Sequence, residues 1–364
     1  MSAYILKRLL LAIPMLIGIT FISFLVMQMA PGKPGSLGGG EMSTNQMTAQ
    51  QYDVMNETFH LDSPIYMRYL YWLGVVQPTP TDNQLKRWHK EDEEAIAAGR
   101  SPSWHMQGMI FLDFGHSMET HSFTVLQKLE EAIPVTIMLN IISLLLIHMI
   151  AIPVGIYSAT HQYSVGDRAS TIGMFLLYSM PNFWVAVLLM KLMVVMPNGW
   201  ALPIHGIQPD DPDRMTTLTW LFESAKYLVL PVLVMSYAGF ASLSRYMRSS
   251  MIDVINSDFI KMARAKGLRE FFVIYKHALR NSLIPIITIM GGILPGLIGG
   301  SVIIETIFGI PGMGRLGYQA LLARDYTVMM AINTMIAILV MIGFLVSDIL
   351  YVVADPRIKL DRTE

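Results

Sequence analysis

Cysteine is absent from the sequence. Disulfide crosslinks and thiolate metal sites are therefore excluded, and nothing can be read about redox compartment. Charge is scarce too: 15% of residues are Asp, Glu, Lys or Arg, against about a quarter in a soluble domain. With 53% hydrophobic residues, this is the composition of a membrane protein. The net charge of -1 supplies no basic field for nucleic acid, which is not expected as a partner. Catalytic signatures are missing as well. Gly32-Lys33 is followed by Pro34 and lacks the preceding glycine of a phosphate loop, and no H-E-x-x-H, G-x-S-x-G or intramembrane carboxylate pair occurs. The chain is not expected to hydrolyse ATP or to be an enzyme, so energy must come from a partner or an ion gradient.

What is present is a series of long apolar runs. Leu9 to Ala30, preceded by Lys7 and Arg8, is long enough to cross about 30 Å of hydrocarbon at about 1.5 Å per residue. It is too long for the apolar part of a cleaved signal, and Pro31 follows the small residue Ala30. Pro31 to about Ile133 has no window apolar enough to span; it opens with PGKPGSLGGG and contains KRWHKEDEEAIAAGR. It is expected outside the membrane, with Gln84 to Ala98 forming a solvated helix. Further spans are expected from Pro134 to about Ala159, with Asn140 and His148 inside it, and from there through His161, Asp167 and Arg168 to about Met196. Three more follow: Tyr227 to about Leu243, Leu283 to Phe308, and Val328 to Val353. Pro181-Asn182 interrupts the third span, where a proline frees a carbonyl and kinks a helix. Lys191 near the outer end of that span can snorkel to the interface. The fold class is thus an all-α polytopic membrane protein of six spans. Its parts are residues 1–30, an extramembrane segment 31–133, a core 134–353 and a tail 354–364.

Asn256 to Pro285 concentrates charge between two apolar runs. Asn256 and Ser257 are placed to cap a short helix on which Phe259, Met262 and Ala263 share a face at i, i+3, i+4, with Lys261, Arg264 and Lys266 around the rest. Gly267 tolerates a left-handed backbone and ends the helix; a second begins near Arg269. A helix this short does not hold itself together in water, so its apolar face must lie against something. Two readings follow: docking on a protein partner, or resting on anionic headgroups at about 1 kcal/mol per Lys or Arg.

The run Ala263-Arg264-Ala265-Lys266-Gly267-Leu268, with His277-Ala278-Leu279-Arg280-Asn281 and Pro285, resembles the EAA loop of ABC importer permeases in its dipeptide and oligopeptide branch. The general pattern has Glu where this chain has Lys261, and a Leu-Pro where it has Leu279-Arg280. Other landmarks agree. Phe59 to Tyr69 and Leu112-Asp113-Phe114-Gly115-His116-Ser117 resemble two stretches that lie closer together in the family, so Gln77 to Met109 looks like an insertion. Ser179, Pro181 and Phe183-Trp184 resemble another landmark. Glu305 to Gly317, Arg324-Asp325-Tyr326 and Asp355-Pro356-Arg357 resemble the family's outer loop and close.

The resemblance implies a type I ABC importer permease of the B type. The coupling loop, about residues 249–282, would dock on an ATPase through Asp258, Phe259, Met262, Ala263, Arg264, Ala265, Lys266, Gly267 and Leu268. Partners would be a second, homologous permease, two ABC ATPases holding ATP and Mg, an extracytoplasmic solute-binding protein, and membrane lipid. No cofactor is implied in this chain. The cargo would be a peptide, or alternatively nickel, glutathione or another small solute. Gly291, Gly292, Gly296, Gly299 and Gly300 let helices approach closely, so the fifth span belongs in the bundle interior or at a subunit contact and is the best candidate to line the pore. Asn182, Gly296, Gly299, Gly300, Glu305, Pro311, Gly312 and Arg315 are the gate and pore candidates. Glu305 and Arg315 are expected to pair at the outer mouth, in a turn that is either a gate or simply rigid.

The basic residues Lys7, Arg8, Arg168, the cluster from Arg245 to Arg280, Arg357, Lys359 and Arg362 put both termini and the basic loop in the cytoplasm. Because nickel permeases belong to the broad family, His60, His89, His105, His116 and His121 invite a metal reading. No pair sits at i, i+4 and no Cys or Asp cluster completes a ligand set, so no metal site is expected. A secondary transporter would need ion-handling carboxylates at mid-membrane, whereas Glu305 and Asp348 lie near span ends. An intramembrane enzyme would need a dyad that His148 lacks.

Overall fold

The computed structural model describes residues 2–29, 59–80, 82–97, 108–120, 123–197, 201–209, 215–283 and 293–354, with Asn56 and Ile286. Its described elements are helical. In chain order they begin with α1 (Ser2–Met29), α2 (Ile65–Leu73), α3 (Asp82–Ala97), α4 (Val125–Thr160), α5 (Val165–Ser179), α6 (Asn182–Val195), α7 (Thr217–Ile255) and α8 (Asp258–Ala265). Then come α9 (Glu270–Phe272), which runs through a π turn (Val273–Ala278) into α10 (Leu279–Ser282), and α11 (Ile293–Gly299), α12 (Val302–Ile307), α13 (Met313–Ala323) and α14 (Tyr326–Ala354).

Among the described residues, α1, α4, α7 and α14 are long and apolar enough to cross a membrane, and α5 with α6 forms a pair bent by 96° at Met180-Pro181. The break is therefore sharper than a kinked span. Several helices also outrun the spans that hydropathy marks. α7 has 39 residues and α4 has 36, whereas about 20 suffice for the hydrocarbon. The expected fifth span falls partly outside the described residues, at 284–285 and 287–292. The rest of it is two short helices, because the chain turns through Gly300 at φ +64° and Ser301 between α11 and α12.

Two compact units divide the chain. Met1–Leu9, Ala132–Arg315 and Leu339–Glu364 form the first. One of its cores gathers Leu139, Ala186, Leu230, Val234, Phe240, Ile304, Phe308 and Ile310. A second gathers Ile156, Ala159, Met247, Met251, Ile260, Val273 and Ala278. Glycine sets two helix approaches: a Cβ on Gly155 would lie 2.8 Å from the Ser244 carbonyl oxygen, and one on Gly239 would lie 2.5 Å from Ile147. In lipid, apolar burial does not drive such contacts, so close packing and hydrogen bonds must. Arg8 pairs with Asp348 at 2.6 Å, joining the start of α1 to the second half of α14.

Leu10–Glu131 and Leu316–Ile338 form the other unit. Phe24, Met27, Tyr69, Leu73, Met118, Tyr326 and Met330 make its core. The Tyr69 hydroxyl lies 2.9 Å from Thr20 Oγ1 and donates to the Ile17 carbonyl at 3.0 Å, tying α2 to α1. α4 opens on a reciprocal cap in which Thr124 Oγ1 accepts the Gln127 N–H and Gln127 Oε1 accepts the Thr124 N–H. The Leu112–Ser117 and Arg324–Tyr326 stretches, far apart in sequence, meet at Asp325. Its buried carboxylate takes the Ser117 hydroxyl, the Thr327 hydroxyl at 2.7 Å and the Val328 N–H at 3.2 Å. Lys128 lies 2.8 Å from Ser117 Oγ and 3.9 Å from Asp325.

Candidate functional site

Asn256 (φ −83°, ψ −5°) and Ser257 (φ −71°, ψ 154°) turn the chain from α7 into α8. Ser257 takes the N-cap position without capping: its hydroxyl donates back to the Val254 carbonyl at 2.6 Å. Asp258 in the first turn and Arg264 in the last complement the helix dipole, and Lys261 bonds Asp258 at 2.9 Å. The expected single apolar face is in fact two stripes. Ile260 and Ala263 are 0% and 8% exposed and pack on Ile156, Ala159, Met247 and Met251. Phe259 and Met262, one residue back and so about 100° around the helix, are 45% and 55% exposed. Ala263 thus belongs with Ile260, and the helix is anchored on one stripe while it presents the other.

α8 ends in a paired turn. The Gly267 N–H donates to the Arg264 carbonyl at 2.9 Å, and the Leu268 N–H to the Ala263 carbonyl at 3.4 Å, with Gly267 at φ +77°. This is the Schellman arrangement, which satisfies carbonyls that the last turn leaves open. A Cβ at Gly267 would meet nothing within 4 Å, so the requirement for glycine is conformational alone. Ala265, Lys266 and Leu268 are exposed. Arg264 bridges the turn to α9, with Nη2 at 2.6 Å from Glu270 Oε1 and Nε at 3.2 Å from both oxygens. These bonds hold the Glu270 carboxyl below its ordinary range and push the Arg264 guanidinium up. Beyond the turn, Leu268, Phe271, Phe272 and Tyr275 extend the exposed apolar surface, the rings of Phe271 and Tyr275 lying 4.7 Å apart.

The Glu305 turn is closed by contrast. Glu305 is 1% exposed. Its Oε1 accepts the Ser301 N–H at 3.0 Å and the Thr136 hydroxyl at 3.3 Å; its Oε2 accepts the Arg315 N–H at 2.9 Å. Thr136 Oγ1 in turn accepts the Met313 N–H at 2.8 Å. Glu305 therefore pairs with the main chain of Arg315 rather than with its guanidinium, because the turn carries the carboxylate inward to meet the first N–H groups of α13, which have no helical acceptor. Glycines make room for it. A Cβ on Gly312 would lie 2.5 Å from Glu305 Oε2 and 2.6 Å from Thr136 Oγ1, and one on Gly300 would lie 2.6 Å from Glu305 Oε1. Gly314 is equally tight, at 2.6 Å from the Val302 nitrogen.

The other gate and pore candidates do not join this cluster. Asn182 and Pro311 are exposed. At Gly296 and Gly299 a Cβ would meet nothing within 4 Å among the described residues. Asn140 donates to the Gly296 and Leu297 carbonyls at 3.2 and 2.9 Å. Those carbonyls lie in the last turn of α11, where the break at Gly300 removes helical donors. Among the described residues no three His, Cys, Asp or Glu gather as metal ligands. His105 and His121 lie outside the described residues.

Residues 151–360 match the family described as binding-protein-dependent transport system inner membrane component. The chain belongs to this family. The oligopeptide transport system permease protein AppB of Bacillus subtilis (strain 168) is 37% identical over 360 residues, spanning 99% of this chain and all of that protein. The dipeptide transport system permease protein DppB of Alkalihalophilus pseudofirmus is 32% identical over 372 residues, with the same coverage. A putative peptide permease protein of Brucella ovis is 32% identical over 360 residues. This inner membrane component is accordingly a multi-pass membrane protein from a family of transport subunits rather than of enzymes. Sequence reasoning about it missed Thr136, Ile260 and the role of Asn140. Each sits inside an apolar or amphipathic run where spacing alone does not say which neighbour it meets.

Proposed function

We propose that the chain is one of two permease halves of an ABC importer for peptides in the cytoplasmic (inner) membrane. Its second half would be a homologous permease, with the path for solute at their interface. Two ATPase subunits, holding ATP and Mg, would bind the coupling loop from inside, and a solute-binding protein would deliver peptide from outside. The peptide class is supported by relatives named for oligopeptide and dipeptide transport. Gly296 and Gly299, with open space at their Cβ positions among the described residues, suit contact with the second permease.

The observation that carries the reading is the split surface of α8: anchored through Ile260 and Ala263, exposed through Phe259 and Met262. An apolar stripe held rigid beside Leu268 and Phe271 suits a groove in a protein. Headgroup binding would instead rest on Lys261, Arg264 and Lys266. Substrate-stimulated ATPase activity of the reconstituted complex separates the two. Gly267→Val should abolish most of the stimulation while the protein still inserts. Normal stimulation in Gly267→Val, with loss when Lys261, Arg264 and Lys266 are all changed to Gln, would overturn the docking reading.

Orientation rests on the inside excess of basic residues and on the Arg8–Asp348 pair, which brings the start of α1 and the later part of α14 to one end. Both termini and α8 then face the cytoplasm, and α3 faces outward. In a chain without cysteine, single cysteines at Glu91 and Lys266 test this directly. An impermeant thiol reagent on intact cells should label position 91 and spare 266; the reverse pattern refutes the topology.

A further inference from the structure

α7 grips α5 at both ends. At the N-terminal end of α5, Arg248 meets Asp167 at two points, Nε to Oδ1 at 3.2 Å and Nη2 to Oδ2 at 3.0 Å. Each oxygen takes a second donor: Oδ1 the Ser158 hydroxyl from α4, and Oδ2 the Tyr163 N–H at 2.9 Å from the intervening turn. Asp167 is buried, so every position on its carboxylate is filled by protein. At the other end of α5, the Tyr237 hydroxyl donates to the Met180 carbonyl at 2.6 Å, next to the 96° bend into α6. The two grips are about 16 Å apart along α7 at about 1.5 Å per residue. Past Arg248, α7 runs on to Ile255 and turns into α8, whose buried stripe packs on Met247 and Met251 of α7 and on Ile156 and Ala159 of α4.

Apolar contacts alone allow helices to slide and roll, whereas a two-point guanidinium–carboxylate pair fixes orientation. Losing Arg248 would leave Asp167 as a buried charge, whereas losing Asp167 would free an Arg248 side chain that is 30% exposed. Resting on the coupling reading above, we infer that Asp167 and Arg248 are positioning residues of coupling. They make α8, α7 and the α4–α5 turn move as one body, so that a displacement imposed on α8 arrives undiminished at the Pro181 bend. Neither residue is required to touch solute or nucleotide; both act through the helices they join.

The test uses the full complex in proteoliposomes, comparing the unaltered chain with Asp167→Asn, Arg248→Gln and Arg248→Lys. Two quantities are read: peptide uptake per ATP hydrolysed, and crosslinking of a cysteine at Met262 to an ATPase subunit. Asp167→Asn and Arg248→Gln should keep the crosslink and lower uptake per ATP at least about fivefold, the lower end of typical couplings between sites. Arg248→Lys, which keeps the charge but replaces the planar fork with a single ammonium, should fall between. A merely structural clamp would lower yield or thermal stability but leave uptake per ATP unchanged in assembled complex, and that result overturns the inference. So does a crosslink that disappears only in the variants, since the clamp would then merely support docking. No crosslink in the unaltered chain would instead refute the coupling reading, and the inference with it.

Discussion

Two glycine-marked turns sit in the same unit of this protein, and they use glycine for opposite reasons. At Gly312 and Gly314 there is no room: a side chain would collide with Glu305, Thr136 or Val302. At Gly267 there is room on every side, and only the left-handed backbone matters. The first turn is complete in itself, its carboxylate satisfied by two main-chain N–H groups and a hydroxyl. The second leaves an apolar stripe, Phe259 and Met262, that the described residues cover only in part. A motif rich in glycine can therefore mark a sealed joint or an open socket, and the space around the missing Cβ tells them apart.

The sealed joint should break hardest. Glu305→Ala strands the Ser301 and Arg315 N–H groups and the Thr136 hydroxyl at a buried site. With about 1–3 kcal/mol for each unsatisfied group and partial relaxation, a loss of about 3–5 kcal/mol is expected, read as a large fall in the melting temperature of the detergent-purified chain. Gly312→Ala adds only a methyl, yet into 2.5 Å of clearance. It should lose about 1–3 kcal/mol by overpacking, also by thermal unfolding, and a neutral result would mean that the turn yields readily and is not a sealed joint.

The open socket should respond weakly in stability and strongly in coupling. Gly267→Ala faces no clash, so about 1 kcal/mol of backbone strain is expected, with the melting temperature barely moved. If Gly267→Ala were as damaging to the fold as Gly312→Ala, the contrast would collapse. The smallest effect belongs to Arg264→Gln. The Arg264–Glu270 pair is largely exposed, so its stabilisation lies within the roughly 0–1 kcal/mol of surface pairs. Because Glu270 is held below its ordinary value of 4.5 in the folded chain, that contribution is present above pH 4.5 and disappears as pH falls through the lowered value. Arg264→Gln should thus differ from the unaltered chain near neutral pH and converge with it in acid, as followed by unfolding at a series of pH values.

Much of the fold was legible because apolar runs and turn residues act locally. Gly267, the Pro181 break and the presence of a helix at Asp82–Ala97 were readable from residue type and spacing. Helix lengths were not, since the apolar run marks a span ending at about Leu243, while α7 carries on to Ile255. Pairings across the chain were hidden too. Glu305 and Arg315 were recognisable as neighbours in a turn, but which atoms meet depends on Thr136, some 170 residues earlier, and on glycines that let the carboxylate in. Likewise Phe259, Met262 and Ala263 satisfied a helical period that could not tell the anchored stripe from the exposed one.

The length of α7 has one more consequence. At 39 residues it extends about 58 Å, roughly twice the hydrocarbon thickness, as a continuous helix that ends at the turn into α8. A helix relieves mismatch with its bilayer partly by tilting, and a 10° change in tilt shifts one end of an element this long by about 10 Å relative to the other. A change of bilayer thickness that alters this tilt therefore also displaces the turn from α7 into α8, so the placement of the short helix is tied geometrically to the length of the long one.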